Sequence, residues 1–262
     1  MSLMDQWFLV GVGLFGLTTL IHLVGLWRPH GKIPTISLRI LEACLLFWTL
    51  LLFCWSLRFA GVGLNRLVLG VSGLSVALLY RISLSRYALQ SAGSVVCAVS
   101  TLLATFSFLF AKPLTLNPEL NRWLLMVHIG LAMIGVTAFL LSGIFSGLYL
   151  IQAKRLKAKR PPKALKTGRL PSLFTLDELC LKSSLVGFPF YTLALLLGSV
   201  QAFQSQGSLH LSYVVAFISW VIFGGVLQAR LTAGWRGQRA AWLTVIATVC
   251  ALSVLILYSA RT

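Results

Sequence analysis

Apolar residues gather in this chain into stretches of about 20 positions, separated by short clusters of Lys, Arg, Pro and Gly. A helix of that length crosses a hydrocarbon layer about 30 Å thick while satisfying its backbone polar groups internally. Cutting at the clusters predicts eight spans, at about 6–27, 36–57, 62–80, 88–111, 122–152, 184–204, 211–231 and 240–258. The expected fold class is therefore all-α: a polytopic transmembrane helical bundle forming a single integral membrane domain over residues 1–262. The opening MSLMDQWFLVG lacks a basic leader and a small-residue cleavage site, so it reads as the first span and not as a removed signal.

Composition agrees with this reading. The 262 residues are 58% hydrophobic and 10% charged, with mean hydropathy +0.91, which excludes a water-soluble globular domain. A net charge of +17 in a soluble protein would suggest nucleic acid; in a membrane chain it marks loops that face anionic lipid, and nucleic acid is not an expected partner. Of the 22 basic residues, 17 fall in loops on one side, nine of them between Lys154 and Lys182. By the positive-inside rule both termini lie outside and 153–183 is a basic cytoplasmic loop.

Span five is long enough to project its end, QAKRLKAKR, into the cytoplasm before Pro161 and Pro162 stop it. The following LPSLFTLDELCLKSSLVGF carries one apolar helical face with Asp177 and Glu178, and is expected as a short helix on the inner membrane surface. It either positions span six or offers a docking element. Cysteines 44, 54, 97, 180 and 250 show no CxxC or CxxCH spacing, which argues against a disulfide framework, a zinc site and covalent haem attachment.

Ionisable groups inside a bilayer are costly and need a reason. Here they are His22, Arg39, Glu42, Arg66 and His128, of which Arg39 and Arg66 lie close enough to span ends to snorkel. His22 and Glu42 sit at similar depths on spans one and two. A carboxylate beside an imidazole fixes its tautomer, as metal and haem ligands require; alternatively Glu42 pairs with Arg39 and His22 bonds a backbone carbonyl. His128 lies on span five with Gly130, Gly135, Gly143 and Gly147, small residues that admit another helix or a flat cofactor. His128 and His210 are the two histidines of the outer half, and two imidazoles meeting there would suit axial haem ligation; His30 has no assigned role. No phosphate-cradling glycine loop, GxSxG or HExxH occurs.

The segments VHIGLAMIGVTAFLLSGIFSGLYLIQAKRLK (127–157), LPSLFTLDELCLKSSLVGFPFYTLALLLGS (170–199) and QARLTAGWRGQRAAWL (228–243) resemble the haem-handling cytochrome c assembly family of CcsA, CcmC and HemX-like proteins. The resemblance places a family-like core at 122–250 and implies haem-ligating histidines on both membrane faces. His128 matches the outer histidine at the start of the family's long span, and His22 the first intramembrane histidine. Gln228 stands in LQAR where the family reads LHAR before GWRG, so it replaces the second intramembrane histidine. The family's tryptophan-rich external segment is absent, with only Trp220 in QSQGSLHLSYVVAFISW, and no LHSYG-like histidine follows span eight. These departures suit a divergent HemX-like member.

The resemblance implies a non-enzymatic protein of the cell inner (plasma) membrane, or a plastid membrane, that binds or relays haem b non-covalently. His22 and His128 are then the candidate axial ligands, Glu42 an orienter and His210 a mate, while Arg66 and Arg122 either pair haem propionates or anchor the interface. Expected partners are the lipid bilayer, haem, other cytochrome c assembly proteins, or a haem-biosynthesis enzyme at the basic loop. A different class of reading is a scaffold or regulator that binds no haem and acts through that loop. A small-solute transporter is a third, with Glu42 as its coupling group.

Overall fold

The computed structural model describes residues 3–27, 33–57, 64–84, 89, 92–109, 122–159, 171–206 and 211–261. Among them the chain forms eight helices and no strand: α1 (Leu3–Trp27), α2 (Ile33–Leu57), α3 (Leu64–Ser83), α4 (Gly93–Leu109), α5 (Arg122–Lys157), α6 (Leu173–Gln206), α7 (Leu211–Thr232) and α8 (Gln238–Arg261). Six of them, α1, α2 and α5 to α8, are long and apolar enough to cross a membrane, and α3 and α4 contain shorter apolar segments. The expected all-α, multi-pass architecture is therefore present.

Burial is arranged as a bilayer demands. On α2 the exposed Leu46, Leu50 and Phe53 share one face, while small polar residues such as Thr18, Ser72, Ser100 and Ser142 are fully buried. The buried hydroxyls of Thr18 and Thr248 bond carbonyls one turn back in their own helices, so they enter the interior satisfied.

The helices fall into two compact units. In the first, comprising residues 1–114 with 162–171, the described helices are α1 to α4. Trp48 of α2 donates its indole N–H to the Gly11 carbonyl of α1 at 3.0 Å, with Phe8 and Phe15 against its ring. Gly11 permits this, since a Cβ there would lie 3.0 Å from the indole. Thr19 and Thr101 join α1 to α4 through their hydroxyls at 3.0 Å.

In the second unit, α5 to α8, the glycines of α5 seat its neighbours. A Cβ on Gly135 would meet the Tyr191 backbone at 2.8 Å, and one on Gly143 would meet Thr248 at 2.5 Å, whereas Gly130 and Gly147 face open space. Helix packing thus uses Gly135 and Gly143, not the Gly143/Gly147 pair that the GxxxG spacing suggests. Phe139 of α5 stacks on Phe223 of α7 with ring centroids 3.6 Å apart.

One expectation is corrected. The stretch after Pro171 is not a separate surface helix: α6 starts at Leu173 and runs unbroken for 34 residues. Ser172 caps it, its hydroxyl accepting the Thr175 N–H at 3.1 Å, and no Gly or Pro interrupts the helix before Gly187 and Pro189. Asp177 and Glu178 belong to its second turn. The end of α5 carries Lys154, Arg155 and Lys157 where the carbonyl end of a helix favours cations, and Lys159 closes it with a left-handed φ of 54°.

Candidate functional site

His22 lies in the last two turns of α1 and is 6% exposed. Its Nδ1 is 2.9 Å from the carbonyl of Thr18, one turn back. A carbonyl only accepts, so Nδ1 carries the proton and Nε2 the lone pair. That Nε2 is buried and has no hydrogen-bond partner. Around the ring stand Tyr80 of α3, Gly93 at the start of α4, and Cys97, whose sulfur is 3.9 Å from Nδ1. A Cβ on Gly93 would meet His22 Cδ2 at 2.4 Å, Tyr80 Oη at 2.5 Å and His22 Nε2 at 2.9 Å. Tyr80 donates its hydroxyl to the Leu89 carbonyl at 3.3 Å, bracing the chain just before α4.

Glu42 does not orient this imidazole. Arg81 of α3 holds it with two donors on one carboxylate oxygen, Nε at 2.8 Å and Nη2 at 2.6 Å. A guanidinium offers a full charge and a rigid fork, against which a neutral imidazole does not compete. Arg39, the alternative partner read from the sequence, is exposed.

His128 lies in the second turn of α5, in the other unit. Its Nδ1 is 2.7 Å from the Ala194 carbonyl of α6, so by the same logic Nδ1 is protonated and Nε2 bears the lone pair. Gly198 lets the ring approach α6, since a Cβ there would lie 2.7 Å from His128 Cε1. Tyr213 of α7 bonds the Gly198 carbonyl and completes this corner. His210 and His30, and the side chains of Arg66 and Arg122, lie outside the described residues. Gln228 of α7 is exposed, and its carbonyl accepts the Thr232 hydroxyl at 2.7 Å.

The second unit also holds a buried ion pair. Arg230, within α7, lies 3.2 Å from Asp177 Oδ1 with side-chain exposures of 3% and 15%. Arg230 also donates to the Asp177 carbonyl at 3.3 Å and to the Cys180 sulfur at 3.5 Å. Ser142, Ser146 and Ser184 continue this polar seam around Cys180. Among the described residues no cluster of three or more His, Cys, Asp or Glu forms a metal-ion cage.

A group that takes one or two axial imidazoles needs no such cage. Each imidazole has Nδ1–H tied to a main-chain carbonyl, which leaves the Nε2 lone pair as the nitrogen that a metal or haem iron could take. At His22 the Nε2 is buried without a hydrogen-bond partner and lies against Gly93, where a Cβ would come within 2.9 Å of it.

Fold and site together define a multi-pass helical membrane protein with a buried and a half-buried histidine, each with Nδ1 on a main-chain carbonyl. The chain belongs to the cytochrome C assembly protein family, whose sequence profile matches residues 38–261. It is 28% identical over 187 residues to the cytochrome c biogenesis protein CcsA of Guillardia theta, covering 62% of each chain. To CcsA of Heterosigma akashiwo it is 32% identical over 180 residues, 55% of this chain and 56% of that one. To the protein HemX of Brevibacillus brevis it is 34% identical over 156 residues, 59% of this chain and 50% of that one. The chain thus matches between half and 62% of the length of these relatives. No solved structure matches it.

Proposed function

We propose that this protein serves cytochrome c assembly by binding haem non-covalently and passing it on within the membrane. The observation that carries the reading is the state of the two imidazoles: Nδ1 of His22 and of His128 is engaged by a backbone carbonyl, which leaves Nε2 as the ligating atom in both. Haem b supplies the iron to which an imidazole coordinates. His22 and His128 would each be able to hold such iron through Nε2, each within its own unit, and Gly93 and Gly198 keep each ring seated against a neighbouring backbone. The protein itself forms no covalent bond to its cargo, in keeping with the lack of a CxxCH motif.

Gln228, in place of the histidine of the resembled pattern, reduces the ligands available and suits a HemX-like role, in which haem is held by fewer ligands. His210 remains the proposed mate of His128. The distribution of basic residues supports insertion in a bacterial plasma membrane with the termini outside and 153–183 in the cytoplasm, where cytochrome assembly proteins or a haem-biosynthesis enzyme would meet it.

The test is the absorption spectrum and pyridine haemochrome content of detergent-purified protein, beside His22→Ala and His128→Ala variants. Near-stoichiometric b-type haem, lost in at least one variant that still purifies as a folded species, is the expected result. Haem-free protein in all three after expression with ample haem overturns it and leaves a scaffold acting through the basic loop.

A further inference from the structure

A second site lies at the end of the second unit where α5 stops and α8 begins. There a cavity of about 650 Å3 is lined by Lys157 of α5, by Trp235 and Arg236 of the α7–α8 turn, and by Arg239 of α8, with Tyr149 at its wall. Among the described residues no acidic side chain lines it. We propose that this cavity binds the phosphate headgroup of an anionic phospholipid, with an acyl chain continuing along α8.

The charge balance comes first. The two acids described in this unit are already engaged, Asp177 by Arg230 and Glu178 by Lys182. The stretch 158–171, AKRPPKALKTGRLP, contains no acid that could neutralise the cavity. Among the described residues Lys157 donates to the neutral Gln238 side chain, at 3.2 Å, and pairs with no acid, so its charge is positioned without a described counter-charge. The first turn of α8 carries no acidic residue, and its free N–H groups add the positive end of the helix dipole to the three cations.

The backbone shapes the site. Gly234 and Gly237 adopt left-handed φ of 63° and 82°, which folds the turn sharply enough to bring Trp235 and Arg236 to the cavity rim. The Trp235 N–H reaches back to the Ala229 carbonyl at 3.1 Å, and Gly237 abuts the Tyr149 hydroxyl. These contacts preorganise the cations before any anion arrives.

What distinguishes a lipid from a soluble phosphate is the surface next to the cations. Arg239, Trp242, Ile246 and Val249 follow one another at spacings of three and four, so they share one face of α8, and the last three are exposed. A guanidinium above an exposed apolar stripe, with the Trp235 indole beside it, matches a molecule whose head is anionic and whose tail is hydrocarbon. Basic pockets at helix ends near the membrane surface bind anionic headgroups in this way.

Native mass spectrometry of the full chain in detergent tests the proposal, with phosphatidylglycerol, cardiolipin, phosphatidylcholine and inorganic phosphate as probes. The expected result is retention of the two anionic lipids over phosphatidylcholine, no displacement by millimolar phosphate, and at least about tenfold weaker retention in Arg236→Gln/Arg239→Gln. Arg236→Lys/Arg239→Lys, which keeps the charge, retains most of the binding and controls for misfolding. Lys154→Gln/Arg155→Gln, removing two exposed charges of α5 that do not line the cavity, leaves it unchanged. Equal loss in that last variant, equal retention of phosphatidylcholine, or displacement by phosphate overturns the proposal in favour of diffuse charge, general lipid contact or a soluble-anion site respectively.

Discussion

Arg81 places Nε and Nη2 on the same oxygen of Glu42, joining α3 to α2. The pair is 39% and 46% exposed at Arg81 and Glu42, so solvent and headgroups screen it. Glu42→Gln is expected to cost no more than about 1 kcal/mol, a small drop in melting temperature, and to leave haem content unchanged. A transporter that couples through this carboxylate would lose activity completely in the same variant, so vesicle transport assays separate the two roles.

Gly93→Ala is expected to be far more harmful than its single methyl suggests. The added carbon would sit 2.4 Å from the His22 ring and 2.5 Å from the Tyr80 hydroxyl, both buried, so α4 or the imidazole must shift at a cost of about 1–3 kcal/mol. Gly13→Ala, on α1 with nothing within 4 Å, is the control and should be neutral or stabilising by up to about 1 kcal/mol. Thermal unfolding in detergent compares them, and equal melting temperatures would refute the close packing of His22 on Gly93.

Arg230→Met alone should strand Asp177 as an unpaired, mostly buried carboxylate. Breaking such a pair costs about 3–5 kcal/mol, whereas Arg230→Met/Asp177→Leu, which removes both charges, should recover much of it. A double-mutant cycle on unfolding midpoints reads the coupling directly. Additive losses would mean that the two side chains stabilise the unit independently.

Gly143→Val and Gly147→Val should differ although both lie on α5 four residues apart. Only the first meets a neighbour, Thr248 of α8, which itself donates to the Phe139 carbonyl at 3.2 Å. We expect about 1–3 kcal/mol of destabilisation from Gly143→Val beyond that of Gly147→Val, measured by urea or thermal unfolding of the purified protein.

The helices are legible in the sequence because hydropathy over about 20 residues is a strong signal, and it places seven of the eight described helices within about five residues at each end. The exception, α6, shows the limit: a periodic apolar face at 170–183 indicates a helix but carries no sign that it continues through Pro189 into the next span. His22 and His128 stood out because imidazoles are rare in apolar runs, yet their partners are the main-chain carbonyls of Thr18 and Ala194, atoms that every residue has. Arg81 and Arg230 lie near span ends, where sequence alone cannot separate a loop cation from a helix-borne one. Only three-dimensional contact shows one bound to Glu42 and the other buried on Asp177. The GWRG turn was read as a family signature, while its role as a rim of charge depends on the two left-handed glycines that flank Trp235 and Arg236.

The two histidines differ in what aims them. The Nδ1 of His22 is fastened to its own helix, one turn back, so its direction is set by the winding of α1 and travels with that helix wherever it moves. The Nδ1 of His128 is fastened across to α6, 66 residues away in sequence, so its direction depends on the register between α5 and α6. One imidazole is aimed by a single helix; the other is aimed by the fit of two.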